Sequence, residues 1–264
     1  MRSVALGDIV LHMEPPEAAR YHAPILILPG LFQSAICWRG LASILAHRGW
    51  EVYLLPRVVR DMASGNVEQE DKSWDEALAD VVKASERLGE KLIIFGSDVG
   101  AAMALATLEQ TRPMALGLFA PTEPARAAAS FSNSLGFMDR RRFNKQTGPL
   151  VEPTGTAVRD AFQKSDISPE PATFMGDLAA GVDFARPATQ PPSIVFGTQN
   201  DPAVDTEHSL GFADGQVAKE AQARLVGRWW PSIGWEAASE QVHRFLILTL
   251  SDRVVEFPDE IING

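Results

Sequence analysis

Lys91-Leu92-Ile93-Ile94-Phe95-Gly96-Ser97-Asp98-Val99-Gly100-Ala101-Ala102 is the stretch that decides how this chain folds. An apolar run meets a glycine, two polar residues and a second glycine, then an alanine-rich helical stretch. Such a strand–tight turn–helix lifts its middle side chain, Asp98, out of the backbone on a strained corner. Crowding at that corner admits only small residues two positions to either side, which Gly96 and Gly100 supply. Centring the turn on Ser97 would place Phe95 and Val99 in the crowded positions, so Asp98 is the residue presented.

On either side of this corner, apolar runs alternate with helical spacing. Gly7-Asp8-Ile9-Val10-Leu11-His12-Met13 predicts a first strand, and Pro24-Ile25-Leu26-Ile27-Leu28-Pro29 a strand buried on both faces. Leu41, Ile44, Leu45 and Arg48 fall at helical spacing before Gly49. Glu51-Val52-Tyr53-Leu54-Leu55-Pro56 is another buried strand. Ser73 caps a helix with Ala77, Leu78, Val81, Val82 and Leu88 on its apolar side, closed by Gly89. Past Asp98 the helix is expected to reach about Glu109, and Ala115-Leu116-Gly117-Leu118-Phe119-Ala120 is the next strand. Strands over residues 192–197 and 223–230 and a helix over 235–250 complete the series. The alternation implies an α/β protein with a mostly parallel central sheet and helices on both faces.

Residues 123–190 break this rhythm, with weak helical patches at 123–133, 157–163 and 171–178. They are expected to form a short helical cap inserted into a core of residues 1–122 and 191–264. The cap would lie over the sheet edge where ligands sit in α/β proteins.

The 264 residues, 45% apolar and 22% charged, suit one soluble α/β domain with a small insertion, or at most two domains. A net charge of −10 argues against a nucleic-acid or anionic-membrane partner. The single cysteine, Cys37, excludes an internal disulfide, and between Ile36 and Trp38 it reads as a small buried hydrophobe. Gly7 and Asp8 follow Arg2 too closely for a signal peptide, and no apolar run approaches the ~20 residues of a membrane span. The expected location is the cytoplasm. Neither metal-ligand spacing nor a phosphate- or dinucleotide-binding glycine motif is visible, so no metal or cofactor is expected. Arg140-Arg141-Arg142, the one basic cluster, reads as a solvated face or as a lid for a carboxylate or phosphate.

Three landmarks, in order, carry a resemblance. Leu28-Pro29-Gly30-Leu31-Phe32-Gln33-Ser34 followed by Trp38 resembles an oxyanion loop. Gly96-Ser97-Asp98-Val99-Gly100-Ala101 resembles a nucleophile elbow, and Phe196-Gly197-Thr198-Gln199-Asn200-Asp201-Pro202 an acid-bearing loop. Between about Ile25 and Leu250, cap excluded, the chain resembles the α/β-hydrolase-fold superfamily. Its aspartate at the elbow resembles the dehalogenase and epoxide-hydrolase branch. That resemblance implies a carboxylate attacking carbon to leave an aspartyl ester, which a histidine held by an acid then opens with water.

The chain departs from the pattern at three usual histidine positions, which hold Pro29, Ser97 and Trp235. An indole donates an N–H but has no basic nitrogen, so Trp235 cannot deprotonate water. Of the five histidines, His208 and His243 are the candidate bases, while His12, His22 and His47 suit solvated or capping roles. By resemblance Asp201 is the acid, with Asp205 a neighbouring candidate and Glu123 the alternative after an earlier strand. Leu31 and Val99 would supply oxyanion-hole N–H groups, and Trp235 could donate to an anion. The expected partner is a small organic molecule. Two classes of function stand open: hydrolysis of a small halide, epoxide or ester at Asp98, or a triad-degenerate protein. The latter would be a lyase, isomerase or cyclase, or would bind a ligand without chemistry.

Overall fold

The computed structural model describes residues 1–60, 67–68, 71–153, 168–198, 206–212, 222–226 and 235–254. Twelve strands and nine helices occur among them. The strands are β1 (Arg2–Leu6), β2 (Ile9–Glu14), β3 (Ile25–Leu28), β4 (Val52–Leu54), β5 (Val59–Arg60), β6 (Val67–Glu68), β7 (Ile93–Ser97), β8 (Ala115–Phe119), β9 (Leu150–Val151), β10 (Glu170–Pro171), β11 (Ser193–Thr198) and β12 (Gln222–Val226). The helices are α1 (Ala35–His47), α2 (Trp74–Leu88), α3 (Val99–Ala106), α4 (Leu108–Thr111), α5 (Pro124–Ser134), α6 (Phe137–Phe143), α7 (Ala172–Ala180), α8 (Thr206–Leu210) and α9 (Trp235–Val254).

Eight strands form one sheet in the order β1-β2-β4-β3-β7-β8-β11-β12. From β4 to β12 every pairing is parallel; β2 joins β4 antiparallel, and β1 joins β2 antiparallel. This is the mostly parallel sheet that the alternation implies. The β3-to-β4 crossover runs one way along the sheet and the β7-to-β8 crossover the other way. Right-handed crossovers therefore put α1 and α3 on opposite faces. The chain reverses direction between β3 and β7, so a crevice opens at their C-terminal ends.

The central strands β3, β7 and β8 are almost wholly apolar because both of their faces are covered. Ile25, Leu26, Ile27, Ile93, Ile94, Phe95 and Leu116 are each fully buried. Beneath the crevice the ring of Phe119 stacks on Phe196 at 4.7 Å and meets the edges of Trp38 and Phe95.

Local chemistry accounts for where the sequence reading shifts. The expected first strand is β2, and a further strand, β1, precedes it because Gly7 (φ +70°) and Asp8 make a two-residue turn pairing Leu6 with Ile9. The first helix starts earlier than its apolar stripe, at Ala35, where the Ser34 side chain accepts the Ile36 N–H. The helix after Asp98 breaks at Thr107, whose hydroxyl bonds back to the Met103 and Ala104 carbonyls. Ser73 and Glu76 close a reciprocal capping box on α2. The expected helical patch at 157–163 lies outside the described residues. Cys37 is buried in α1. No helix among the described residues is long and apolar enough to cross a membrane.

Candidate functional site

Asp98 has φ +50° and ψ −120°, a conformation that is costly for any residue with a side chain and is over-determined by what surrounds it. Its N–H donates to the Phe119 carbonyl and its own carbonyl accepts from Ala101 at the start of α3. A Cβ on Gly96 would lie 2.5 Å from the Gly100 carbonyl oxygen, and one on Gly100 would lie 2.2 Å from that of Leu28. Both positions therefore require glycine, as the corner's crowding predicts. Ser97 ends β7 fully buried, its hydroxyl accepting from Gln33 Nε2 at 3.3 Å.

The half-buried Asp98 carboxylate does not cap its own helix. Oδ2 instead accepts the N–H of Leu31 at 3.2 Å, across from the loop that follows β3. The structure thus joins two residues that the sequence placed at the site, Asp98 and Leu31. Val99, the third, is fully buried at the first position of α3. Close approach also explains Gly30, where a Cβ would come within 3.0 Å of the Asp98 Cβ.

The loop owes its shape to three residues that the sequence reading passed over as functional. Gln33 Oε1 accepts from the Gly30 N–H and the Trp38 indole, at 2.8 and 3.1 Å. Arg57 donates to the carbonyls of Pro29 and Gly30 and forms a double hydrogen bond with Glu170. Glu170 also accepts the Phe32 N–H at 2.6 Å. Phe32 has φ +59°, and its ring packs against Phe131 of α5 and Phe143 of α6. Gln33 stands inside the quoted loop motif and Arg57 just after a buried strand. Glu170, between Pro169 and Pro171, carries no periodic or motif signal.

The histidines divide by sheet edge. His22 precedes β3, His47 ends α1, and His243 accepts from the indole of Trp50, which precedes β4. All three stand at the N-terminal edge of the parallel strands, away from Asp98. His243 is therefore not brought to the corner. Burial, then the Arg48 charge, hold its pKa below the ordinary value against Glu240.

His208 and His12 lie toward the C-terminal edge. His208 Nδ1 is 3.0 Å from Arg126 and Nε2 is 2.5 Å from Glu123 Oε2. A guanidinium only donates, so Nδ1 accepts from Arg126, while Nε2 stands beside the Glu123 carboxylate as an ion-pair contact. Burial works to raise the Glu123 carboxyl, but Arg186's hydrogen bond, its own backbone N–H and the neighbouring positive charges leave it below the ordinary range. Glu123 and His208 are thus brought together, with Nδ1 hydrogen-bonded to Arg126 and Nε2 close to the carboxylate. His12 is buried beside Arg57, Gln33 and Glu170, and its Nδ1 meets Ser3.

Asp201, Asp205 and the side chain of Trp235, the first residue of α9, lie outside the described residues. In the basic cluster Arg140 holds the Ser132 and Asn133 carbonyls, Arg142 stands 3.6 Å from Asp139, and Arg141 is exposed.

No protein-family model and no curated protein matches the chain. Solved structures do. A thermophilic esterase from Thermogutta terrifontis is similar at TM-score 0.64 and 15% identity, over 94% of this chain and 99% of that one. A hydrolase from Pseudomonas aeruginosa is similar at 0.62 and 16%, over 93% and 97%. A mutant epoxide hydrolase from Bacillus megaterium is similar at 0.62 and 12%, over 93% and 99%. At such identities the likeness speaks for architecture alone. With the strand order and the glycine-flanked corner at Asp98, it establishes that this chain has the α/β-hydrolase fold.

Proposed function

We propose that the chain acts on a small electrophilic organic molecule, a halide, epoxide or ester, through the carboxylate of Asp98. One observation carries this reading: Leu31 donates its N–H to Asp98 Oδ2 at the strained corner. An N–H donor at that place orients the carboxylate and keeps it ionised, and would stabilise the oxyanion formed on the same oxygen when water opens the aspartyl ester. In the proposed step a carboxylate oxygen forms a C–O bond to the substrate, giving an aspartyl ester. The broken bond's electron pair leaves as halide or, where an ester is attacked at its alkyl carbon, as a carboxylate; with an epoxide it stays on the ring oxygen, which then takes up a proton from water. The insertion over residues 123–190 serves as the cap of this pocket, and Val99 as a second backbone donor.

Returning free Asp98 requires water activated by a base with an open nitrogen. His208, backed by Glu123, is our candidate on this edge, once Arg126 has released Nδ1. The hydrogen bond that occupies Nδ1 favours a second reading: Asp98 binds a ligand, or carries out lyase, isomerase or cyclase chemistry, without hydrolysis.

Incubation with haloacids, haloalkanes, epoxides and activated esters, followed by intact-mass and peptide analysis, separates the two. The first reading expects a mass increase on Asp98 that Asp98→Asn abolishes, and turnover that His208→Ala slows at least ~100-fold. An adduct that accumulates without turnover identifies a nucleophile lacking its base. Absence of both adduct and product across the whole panel would rule out the first reading.

A further inference from the structure

Buried ion pairs are weak stabilisers, and an apolar pair of similar volume often replaces one at little cost. Arg57 and Glu170, with side chains 6% and 2% exposed, form such a pair. Their hydrogen bonds converge on one short stretch of backbone. Arg57 Nη1 and Nη2 donate to Pro29 O and Gly30 O at 2.6 and 2.5 Å, and Glu170 Oε1 accepts from Phe32 N–H at 2.6 Å. Between these held groups lies Leu31, whose N–H points to Asp98.

The same loop borders open space as well as packed side chains. A pocket of about 40 Å³ next to it is lined by His12, Gln33, Ser34, Arg57, Ser168 and Glu170. Phe32 is also held at φ +59°, where a bulky residue does not rest unaided. The ion pair is itself seated: Phe174 lies under the Arg57 guanidinium at 5.2 Å, and Ser168 N–H bonds to Phe32 O. Glu170 comes from the segment between β8 and β11, 113 residues from Arg57 in sequence.

We propose that Arg57 and Glu170 are positioning residues that aim the Leu31 N–H at Asp98, so that the cap segment bearing Glu170 sets the reactivity of the corner. The inference rests on the reading of Asp98 as the reacting carboxylate. A merely structural pair would affect global stability. A positioning pair affects the loop and the attack rate while global stability is kept.

The test uses the full chain in wild-type form and as Arg57→Met/Glu170→Leu, Glu170→Gln and Arg57→Lys. Three quantities are read: urea midpoint, amide exchange of Gly30–Gln33, and the rate of Asp98 labelling by whichever electrophile labels the wild type. The double variant is expected to keep its urea midpoint, lose protection at Leu31 and Phe32 but not in β7, and label about 10- to 100-fold more slowly. Glu170→Gln, which retains an acceptor for Phe32, should keep most of the protection. Arg57→Lys, a point charge without the fork, should lose it. If the double variant does not fold, these two single variants decide the matter by the same readings. Unchanged loop exchange, or an unchanged labelling rate, overturns the proposal. If no electrophile labels wild-type Asp98, the proposed chemistry fails instead, and the exchange data still decide whether the pair holds the loop.

Discussion

At the scale of single residues, the corner is a problem of space. A methyl group added at Gly100 would stand 2.2 Å from Leu28 O and 2.6 Å from Pro29 O, and backbone atoms cannot swing aside as a flexible side chain can. Gly100→Ala is therefore expected to cost about 3 kcal/mol in urea unfolding. Stability within 0.5 kcal/mol of wild type would show that the corner relaxes more easily than its contacts imply. The same crowding brings Asp98 to the loop after β3. Its carboxylate is not spent on the first turn of α3, as a capping aspartate's would be, and so faces the Leu31 N–H instead.

At the scale of elements, the helices end where side chains supply the missing partners. In α2, Ser73 accepts the Glu76 N–H at 3.2 Å while Glu76 accepts the Ser73 N–H at 2.8 Å. Ser73→Ala should lower stability by about 1 kcal/mol, seen as a lower urea midpoint at unchanged slope. A change in slope would instead point to an altered unfolded state. Helix α9 shows how a stripe misleads about function. Of the stripe Val242, Phe245, Leu246 and Thr249 that the spacing predicts, the first three are buried, while Leu250 rather than the half-buried Thr249 continues the inner side. His243 flanks that stripe, but α9 packs on α1 and presents it to Trp50 at the edge opposite the corner.

For the whole molecule, two histidines link stability to pH. Burial, and then the Met1 ammonium, lower the pKa of His12; burial, and then Arg48, lower that of His243. On unfolding both return to the ordinary value of 6.5. Below that pH the unfolded chain binds more protons than the folded one, so stability declines as pH falls from 6.5 toward the lowered values. Above 6.5 their contribution is complete. Urea midpoints should drop between about pH 8 and about pH 5.5, and less steeply in His243→Gln. Equal slopes in the two proteins would remove His243 from the account.

The alternation of strands and helices, the parallel sheet and the glycine-flanked corner were all legible in the sequence, because each is written in contacts between near neighbours. Period, capping residues and local crowding need no knowledge of the rest of the chain. Leu31 and Asp98 were each marked by the resemblance, and the hydrogen bond between them is what the fold adds. What only the tertiary structure decided are the pairings between distant segments. Glu170 reaches Phe32 across 138 residues, His208 meets Glu123 and Arg126 by way of two separate strand ends, and His243 is carried to the far edge. No periodicity marks a lone glutamate between prolines, and no spacing tells on which edge a helix will set its histidine. Those outcomes follow from sheet order and packing, which are properties of the folded chain as a whole.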